Sequence, residues 1–398
     1  MVLGALTHSH FTLNNPLLAE DTVATLDALH ALGTEIRSSS GGMKIHCEEL
    51  RPSPGIIDAK NSGTTMRIMT GIASLLPSTT TLTGDESLIR RPMGPLVEAL
   101  IQLGATCAYL GSPGNPPVAV TGPIVNSTAQ ISGDISSQFV SSLLIACSQK
   151  EGDTLLKIDG ALRSRPYIDI TLMMLREFGG QVEESAEGFR IPGHQQLARD
   201  AYDVPGDYSS ASFPLVAAAI TGGEVTVRNL DNHSPQGDRI IAEHLKTFGA
   251  KVSINSTSVK VSAGSDLRGT EIDVKHTPDL FPILAVVGAV AQGRTVIRGG
   301  ENLREKESDR IATTTQFLHD MGANVRATKD GCEIEGVDRL HGAIVHTQGD
   351  HRILMAAATA GLASSSETRI DDNESFKVSY PGFLRDMHQL GCRMVVRK

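Results

Sequence analysis

One hydrophobic pattern returns six times along the chain. Apolar residues fall three and four positions apart, as in Leu96, Leu100 and Leu103 or Ile241, Leu245 and Phe248, and each run then meets a glycine and a β-rich segment. That spacing puts the apolar side chains on one helical face. The six segments are ALHALGTEI, ALIQLGATC, MLREFGGQV, HLKTFGAKV, FLHDMGANV and DMHQLGCRM. Their glycines, Gly33, Gly104, Gly179, Gly249, Gly322 and Gly391, lie 69 to 75 residues apart. Glycine ends a helix in the left-handed conformation without steric cost, so each is expected to be a helix stop that leads into a strand. A period of this length exceeds the roughly 20–50 residues of thin solenoid repeats and suits a small subdomain used several times.

Superposing the segments on their glycines exposes a second, more apolar helix in each repeat, opened by small polar residues. Examples are NSGTTMRIMTGIASLL followed by TTTLTG, SSQFVSSLLIACS followed by TLLKIDG, and TPDLFPILAVVGAVA followed by RTVIRGG. A helix apolar on most sides is expected to be buried, and its amphipathic partner to lie outside. The predicted fold class is α/β: a two-domain inside-out α/β prism built from βαβαββ-type units, three per domain, over residues 1–205 and 206–398. Helix openings carry unpaired N–H groups and partial positive charge, so a face that collects them should attract anions. Two domains facing each other would enclose a cleft lined by these openings. The first repeat starts inside its apolar helix at MVLGALTHSHF, and repeat arithmetic predicts roughly 20–30 residues ahead of it.

Composition narrows the function. The chain has 398 residues and a formal net charge of −9, which argues against nucleic acid as the main partner because counterion release needs basic patches. Five widely spaced cysteines without CxxC pairing predict reduced thiols in a cytoplasmic protein. The N-terminus has neither the basic region nor the apolar core of a signal peptide. No apolar run reaches the roughly 18–20 residues of a membrane span. Phosphate-loop, dinucleotide-binding and GxSxG motifs are absent, and no cluster has metal-ligand spacing. What remains is anion chemistry on a small substrate, with neither cofactor nor metal expected.

The densest polar cluster is NLREKESDR, Asn302 to Arg310, where one helical turn would present Lys306, Glu307 and Arg310 together. It is either a solvated helix start or an anion site with Glu307 as an acid/base. NSGTTMR (Asn61 to Arg67) and SSQF (Ser136, Ser137, Gln138) are either ordinary helix caps or anion cradles. IRRP with Arg90 and Arg91, and GDHR with Asp350, His351 and Arg352, supply guanidinium forks suited to carboxylate or phosphate. His351 reads as a structural hydrogen-bonder. Asp279, before an apolar helix, is either its cap or a general base.

These motifs, with LTGDESLIRRPMG and SRPYIDIT, resemble those of the EPSP synthase family of enolpyruvyl transferases over essentially the whole chain. The resemblance implies transfer of the enolpyruvyl group of phosphoenolpyruvate to the 5-hydroxyl of shikimate 3-phosphate, in the shikimate route to chorismate and aromatic amino acids. It implies that Ser136, Ser137, Gln138, Ser164, Tyr167, Asp279, Asn302 and Lys306 bind shikimate 3-phosphate. Gly63, Arg91, Gln138, Arg310 and Arg352 would bind phosphoenolpyruvate, with Asp279 and Glu307 catalytic. It implies no cofactor, no nucleic acid or membrane partner, and a monomer. Two departures stand out. The family's N-terminal lysine–serine motif has no counterpart after Met1. Val378 stands where the family carries a lysine before its [ST]-[FY]-P turn, with Lys377 one position off. Two other readings follow from these features: a relative that binds but turns over poorly, and an enzyme acting on UDP-N-acetylglucosamine.

Overall fold

The structure is a computed structural model that describes residues 1–39, 41–134, 136–264 and 266–396. The chain divides into two compact lobes, Met1–Val204 and Pro205–Lys398, each with its own hydrophobic core.

In the first lobe the chain runs α1 (Val2–Ala5), β1 (His10–Asn14), α2 (Glu20–Ala31), β2 (Glu35–Ser39) and β3 (Gly42–His46). The full pattern follows twice. It is first β4 (Ile57–Asp58), α3 (Gly63–Ala73), β5 (Thr79–Thr83), α4 (Gly94–Gln102), β6 (Thr106–Tyr109) and β7 (Val118–Thr121). It is then β8 (Thr128–Ser132), α5 (Ser137–Gln149), β9 (Thr154–Asp159), α6 (Arg165–Glu177), β10 (Glu183–Ser185) and β11 (Gly188–Ile191), after which β12 (Ala201–Asp203) closes the lobe. The second lobe opens with α7 (Tyr208–Thr221), β13 (Glu224–Arg228), α8 (Ile241–Phe248), β14 (Lys251–Asn255) and β15 (Ser258–Ser262). It continues with β16 (Glu271–Asp273), α9 (Phe281–Val290), β17 (Arg294–Arg298), α10 (Arg310–Asp320), β18 (Asn324–Ala327) and β19 (Cys332–Glu335). It ends with β20 (Ile344–Val345), α11 (His351–Gly361), β21 (Arg369–Ile370) and α12 (Phe383–Gln389).

All six repeat glycines have positive φ, from 82° at Gly179 to 105° at Gly249. Each terminates an amphipathic helix as its spacing predicts. The apolar helices are the interior of each lobe: α3, α5, α7, α9 and α11 are buried over almost their whole length. Around them, strands such as β1, β7 and β15 alternate buried residues with less buried ones, as one-sided sheets do. Within a repeat, the strand before the buried helix pairs parallel with the strand after it, and an antiparallel hairpin completes the sheet. The resulting orders are β4-β5-β7-β6, β8-β9-β11-β10 and β16-β17-β19-β18. This is the inside-out α/β arrangement.

Three departures from the expected repeat are local. Strand β12 precedes α7 in sequence but pairs parallel with β1, Thr12 opposite Ala201, so the sheet of the first repeat is β12-β1-β3-β2 and that of β13 has three strands. The last repeat lacks its hairpin: β20 and β21 form a two-stranded sheet, and residues 392–396 adopt no strand after Gly391. Helix α1 has four residues, against 10 to 14 in the other buried helices.

Candidate active site

In the first lobe, polar groups converge at the openings of α3 and α5. Ser62 caps α3, accepting from the Thr65 N–H at 3.2 Å, and Ser136 caps α5, accepting from the Gln138 N–H at 3.3 Å. Gly63 and Arg67 lie one turn apart on α3, and Arg91 follows a short 3-10 helix, Leu88–Arg90. A Cβ at Gly63 would stand 2.6 Å from Arg67 Nη1, 3.3 Å from Arg91 Nη1 and 3.5 Å from Gln138 Oε1. Only glycine leaves room for two guanidinium groups and an amide at this point. Arg67 Nη1 donates to Gln138 Oε1 at 2.5 Å, and its guanidinium lies 5.3 Å from the Phe139 ring centroid. Gln138 Nε2 in turn donates to Thr64 Oγ1 at 2.8 Å. Arg67 was not singled out as a site residue from sequence, although its one-turn spacing from Gly63 carries the signal.

Ser164 opens α6 in the left-handed conformation, φ 50°. Its carbonyl accepts from the Tyr167 N–H at 3.1 Å, and Thr171 ties α6 to Ser141 of α5 through a 2.7 Å hydroxyl contact. Ser137 and Ser164 are buried, and Ser136 and Tyr167 half-buried.

The second lobe gathers charge around one guanidinium. Arg310, 1% exposed, donates from Nη1 to Asp279 Oδ1 at 2.8 Å, from Nη2 to Glu307 Oε2 at 2.6 Å and from Nε to Asp350 Oδ2 at 2.8 Å. Arg352 Nη2 reaches the other Asp279 oxygen at 3.3 Å. Asp350 also caps α11, accepting from the Arg352 N–H, and accepts from Ser308 Oγ at 3.0 Å.

Lys306, Glu307 and Arg310 do not share a helical turn, contrary to expectation. Asp309 caps α10 by accepting from the Ala312 N–H at 3.0 Å, so the helix begins at Arg310. Asn302 sits half-buried on the preceding 3-10 helix, Glu301–Glu305, and Lys306 follows it. Asp279 is likewise no cap: it lies in a 3-10 turn, Pro278–Leu280, ahead of α9.

The electrostatics follow from burial. Burial pushes the Asp279 carboxyl up, but Arg352, Lys306 and Arg310 outweigh it and hold the group far below the usual carboxylate range. Burial lowers His351 to about 4, so it is neutral at pH 7 and GDHR presents one cation, not two. Asp238, which sequence reading missed, lies buried in the 3-10 turn Gly237–Ile240 with Ser209 Oγ donating to one of its oxygens. Burial and the charge of Asp279 raise it to about 7, against the opposing effects of Ser209 and Arg352. Among the described residues, no group of three or more His, Cys, Asp or Glu side chains is placed to hold a metal ion. No described helix is long and apolar enough to cross a membrane.

The family profile of EPSP synthase (3-phosphoshikimate 1-carboxyvinyltransferase) matches residues 1–387. The chain belongs to the EPSP synthase family. It is 44% identical over 399 residues to the 3-phosphoshikimate 1-carboxyvinyltransferase of Methanocella arvoryzae, covering 100% of this chain and 94% of that one. With the enzyme of the same name from Methanothrix thermoacetophila it shares 45% over 386 residues, 96% of this chain and 90% of that one. An EPSP synthase structure from Acinetobacter baumannii superposes with a TM-score of 0.81 at 30% identity, covering 98% of this chain and 92% of that one. Lys377 pairs with Glu374 at 2.8 Å, and Val378 beside it is buried.

Proposed function

We propose that this chain transfers the enolpyruvyl group of phosphoenolpyruvate to the 5-hydroxyl of shikimate 3-phosphate, releasing phosphate. The observation that carries the residue assignment is the arrangement around Arg310: one guanidinium holds two carboxylates, Asp279 and Glu307, on neighbouring nitrogens. Two acid/base groups in fixed relation suit a reaction in which a hydroxyl loses a proton while a methylene carbon gains one.

In the first step the 5-hydroxyl oxygen attacks C2 of phosphoenolpyruvate, its proton leaves, and C3 is protonated to a methyl group. A tetrahedral intermediate results. In the second step the C2–phosphate bond breaks and the methyl group returns a proton, which restores the enol ether. Asp279 and Glu307 divide these transfers. With no ligand bound, Asp279 is too well stabilised by cations to be an effective base. Anionic substrates that draw on Arg310 and Arg352 would weaken that stabilisation and raise its proton affinity. Gly63, Arg91, Gln138, Arg310 and Arg352 are assigned to phosphoenolpyruvate; Ser136, Ser137, Gln138, Ser164, Tyr167, Asp279, Asn302 and Lys306 are assigned to shikimate 3-phosphate. Preorganised charge is the main catalytic contribution. The five free cysteines suit a reducing compartment such as the cytoplasm; gel filtration at micromolar concentration tests whether the chain is a monomer.

Asp279→Asn and Glu307→Gln should each lower kcat on the order of 10²–10⁴-fold, the usual worth of a positioned proton-transfer group; in Glu307→Gln, which is not assigned to shikimate 3-phosphate, the Kd for that substrate should stay within a few-fold. Near-normal turnover in either variant would remove that residue from the proton path.

A further inference from the structure

The motif LTGDESLIRRPMG holds a carboxylate that the proposed chemistry does not use, Asp85. Its two oxygens serve two different parts of the Arg91 environment. Oδ1 accepts from the Leu88 N–H at 2.8 Å, which fixes the start of the 3-10 helix leading into Arg91. Oδ2 accepts from Asn61 Nδ2 at 2.6 Å. Asn61 Oδ1 then accepts from Arg91 Nη2 at 3.0 Å, and the Asn61 carbonyl lies 3.4 Å from Arg91 Nη1. The Asp85 N–H donates to the Lys60 carbonyl at 2.8 Å, so the segment bearing Asn61 is tied to Asp85 through the backbone as well.

Chemistry fixes the direction of this relay. A carboxylate only accepts and a guanidinium only donates, so the amide between them must turn its NH₂ to Asp85 and its oxygen to Arg91. Reversing the amide would set NH₂ against guanidinium and oxygen against carboxylate. Ser87 Oγ, on the same 3-10 turn, is a further acceptor for Arg91 Nη2 at 3.3 Å. The guanidinium is thereby held on one edge, with Nη1 directed toward Gly63.

We propose that Asp85 is a positioning residue for phosphoenolpyruvate: through Asn61 and the 3-10 turn it sets the direction in which Arg91 presents its guanidinium, without touching substrate. The proposal rests on the assignment of Arg91 to phosphoenolpyruvate, and the two fail differently. Steady-state kinetics on the full chain, with each substrate varied at a saturating level of the other, test both. Asp85→Ala should raise the KM for phosphoenolpyruvate about tenfold, the scale of one charge-assisted hydrogen bond. It should change kcat less than threefold and leave the KM for shikimate 3-phosphate unchanged, because that substrate is assigned to other groups. Asp85→Asn keeps the shape and one accepting oxygen and should fall between, which also serves should the alanine variant fail to fold.

The decisive comparison is with Arg91→Lys. If Asp85 acts through Arg91, the double variant Asp85→Ala/Arg91→Lys loses no more than Arg91→Lys alone. Full additivity of the two losses, or a KM for phosphoenolpyruvate within twofold of wild type in Asp85→Ala, would overturn the proposal while leaving Arg91 in place. A wild-type KM in Arg91→Lys would overturn the Arg91 assignment and the proposal with it.

Discussion

At the scale of single residues, packing and electrostatics each make a separable demand. Gly63 is required by space: its missing Cβ lets Arg67 and Arg91 approach the same point. Gly63→Ala should push both guanidiniums back and raise the KM for phosphoenolpyruvate on the order of tenfold, since overpacking typically costs about 1–3 kcal/mol. Steady-state kinetics check this, and an unchanged KM would show that the cradle yields without cost.

Asp238 makes the electrostatic demand. Its folded-state value of about 7 lies above the roughly 3.9 of an unfolded aspartate, so the folded chain binds that proton more tightly. The resulting stability is fully present below about pH 4 and is lost as the pH rises through 7. Asp238→Asn cannot ionise and escapes that loss. Its melting temperature should match wild type near pH 4 and exceed it at pH 8, by roughly 2–4 °C for each kcal/mol recovered. A difference that stays flat across this range would contradict the assignment. Asp207, Asp279 and Arg352 also act on Asp238, Arg352 lowering it, so the same titration in Arg352→Gln should shift the transition upward.

At the scale of elements, legibility in the sequence followed the range of the interaction. The six helix stops depend on local periodicity and one glycine each, and all six have the left-handed backbone. The buried helices and the strands after them were equally readable, because apolar runs and β-branched segments are local signals. The exchange of β12 was not: a three-residue strand that joins a sheet begun near residue 10 leaves no local trace. The start of α10 was misjudged because Asp309, inside a charged run, outcompetes its neighbours as the cap.

The site divides along the same line. Its motifs stood out, but the pairing of Asp350 with Arg310 spans 40 residues and that of Arg67 with Gln138 spans 71, and no local spacing encodes either.

The helix stops also give a graded prediction. Around Gly179 a Cβ would meet nothing within 4 Å, whereas at Gly249 it would lie 2.7 Å from the Asp266 carbonyl oxygen. Gly179→Ala should therefore cost about 1 kcal/mol, the left-handed penalty alone. Gly249→Ala adds a steric term and should cost more, roughly 2–4 kcal/mol. Urea denaturation of the two variants compares them directly, and equal losses would deny the steric contribution.

At the scale of the whole molecule, two lobes with separate cores each repeat one scheme, and each presents polar groups where its buried helices begin. The first lobe contributes arginines and hydroxyls around Gly63 and Gln138; the second contributes carboxylates bracketed by Arg310 and Arg352. The acceptor alcohol is what separates chemistry on shikimate 3-phosphate from chemistry on a nucleotide sugar. The direct test is phosphate release by the full chain from phosphoenolpyruvate, measured in parallel with shikimate 3-phosphate and with UDP-N-acetylglucosamine. The account predicts one phosphate per enolpyruvyl product with shikimate 3-phosphate and none above background with the nucleotide sugar. Saturable binding of shikimate 3-phosphate without phosphate release, or release with the nucleotide sugar alone, would contradict it.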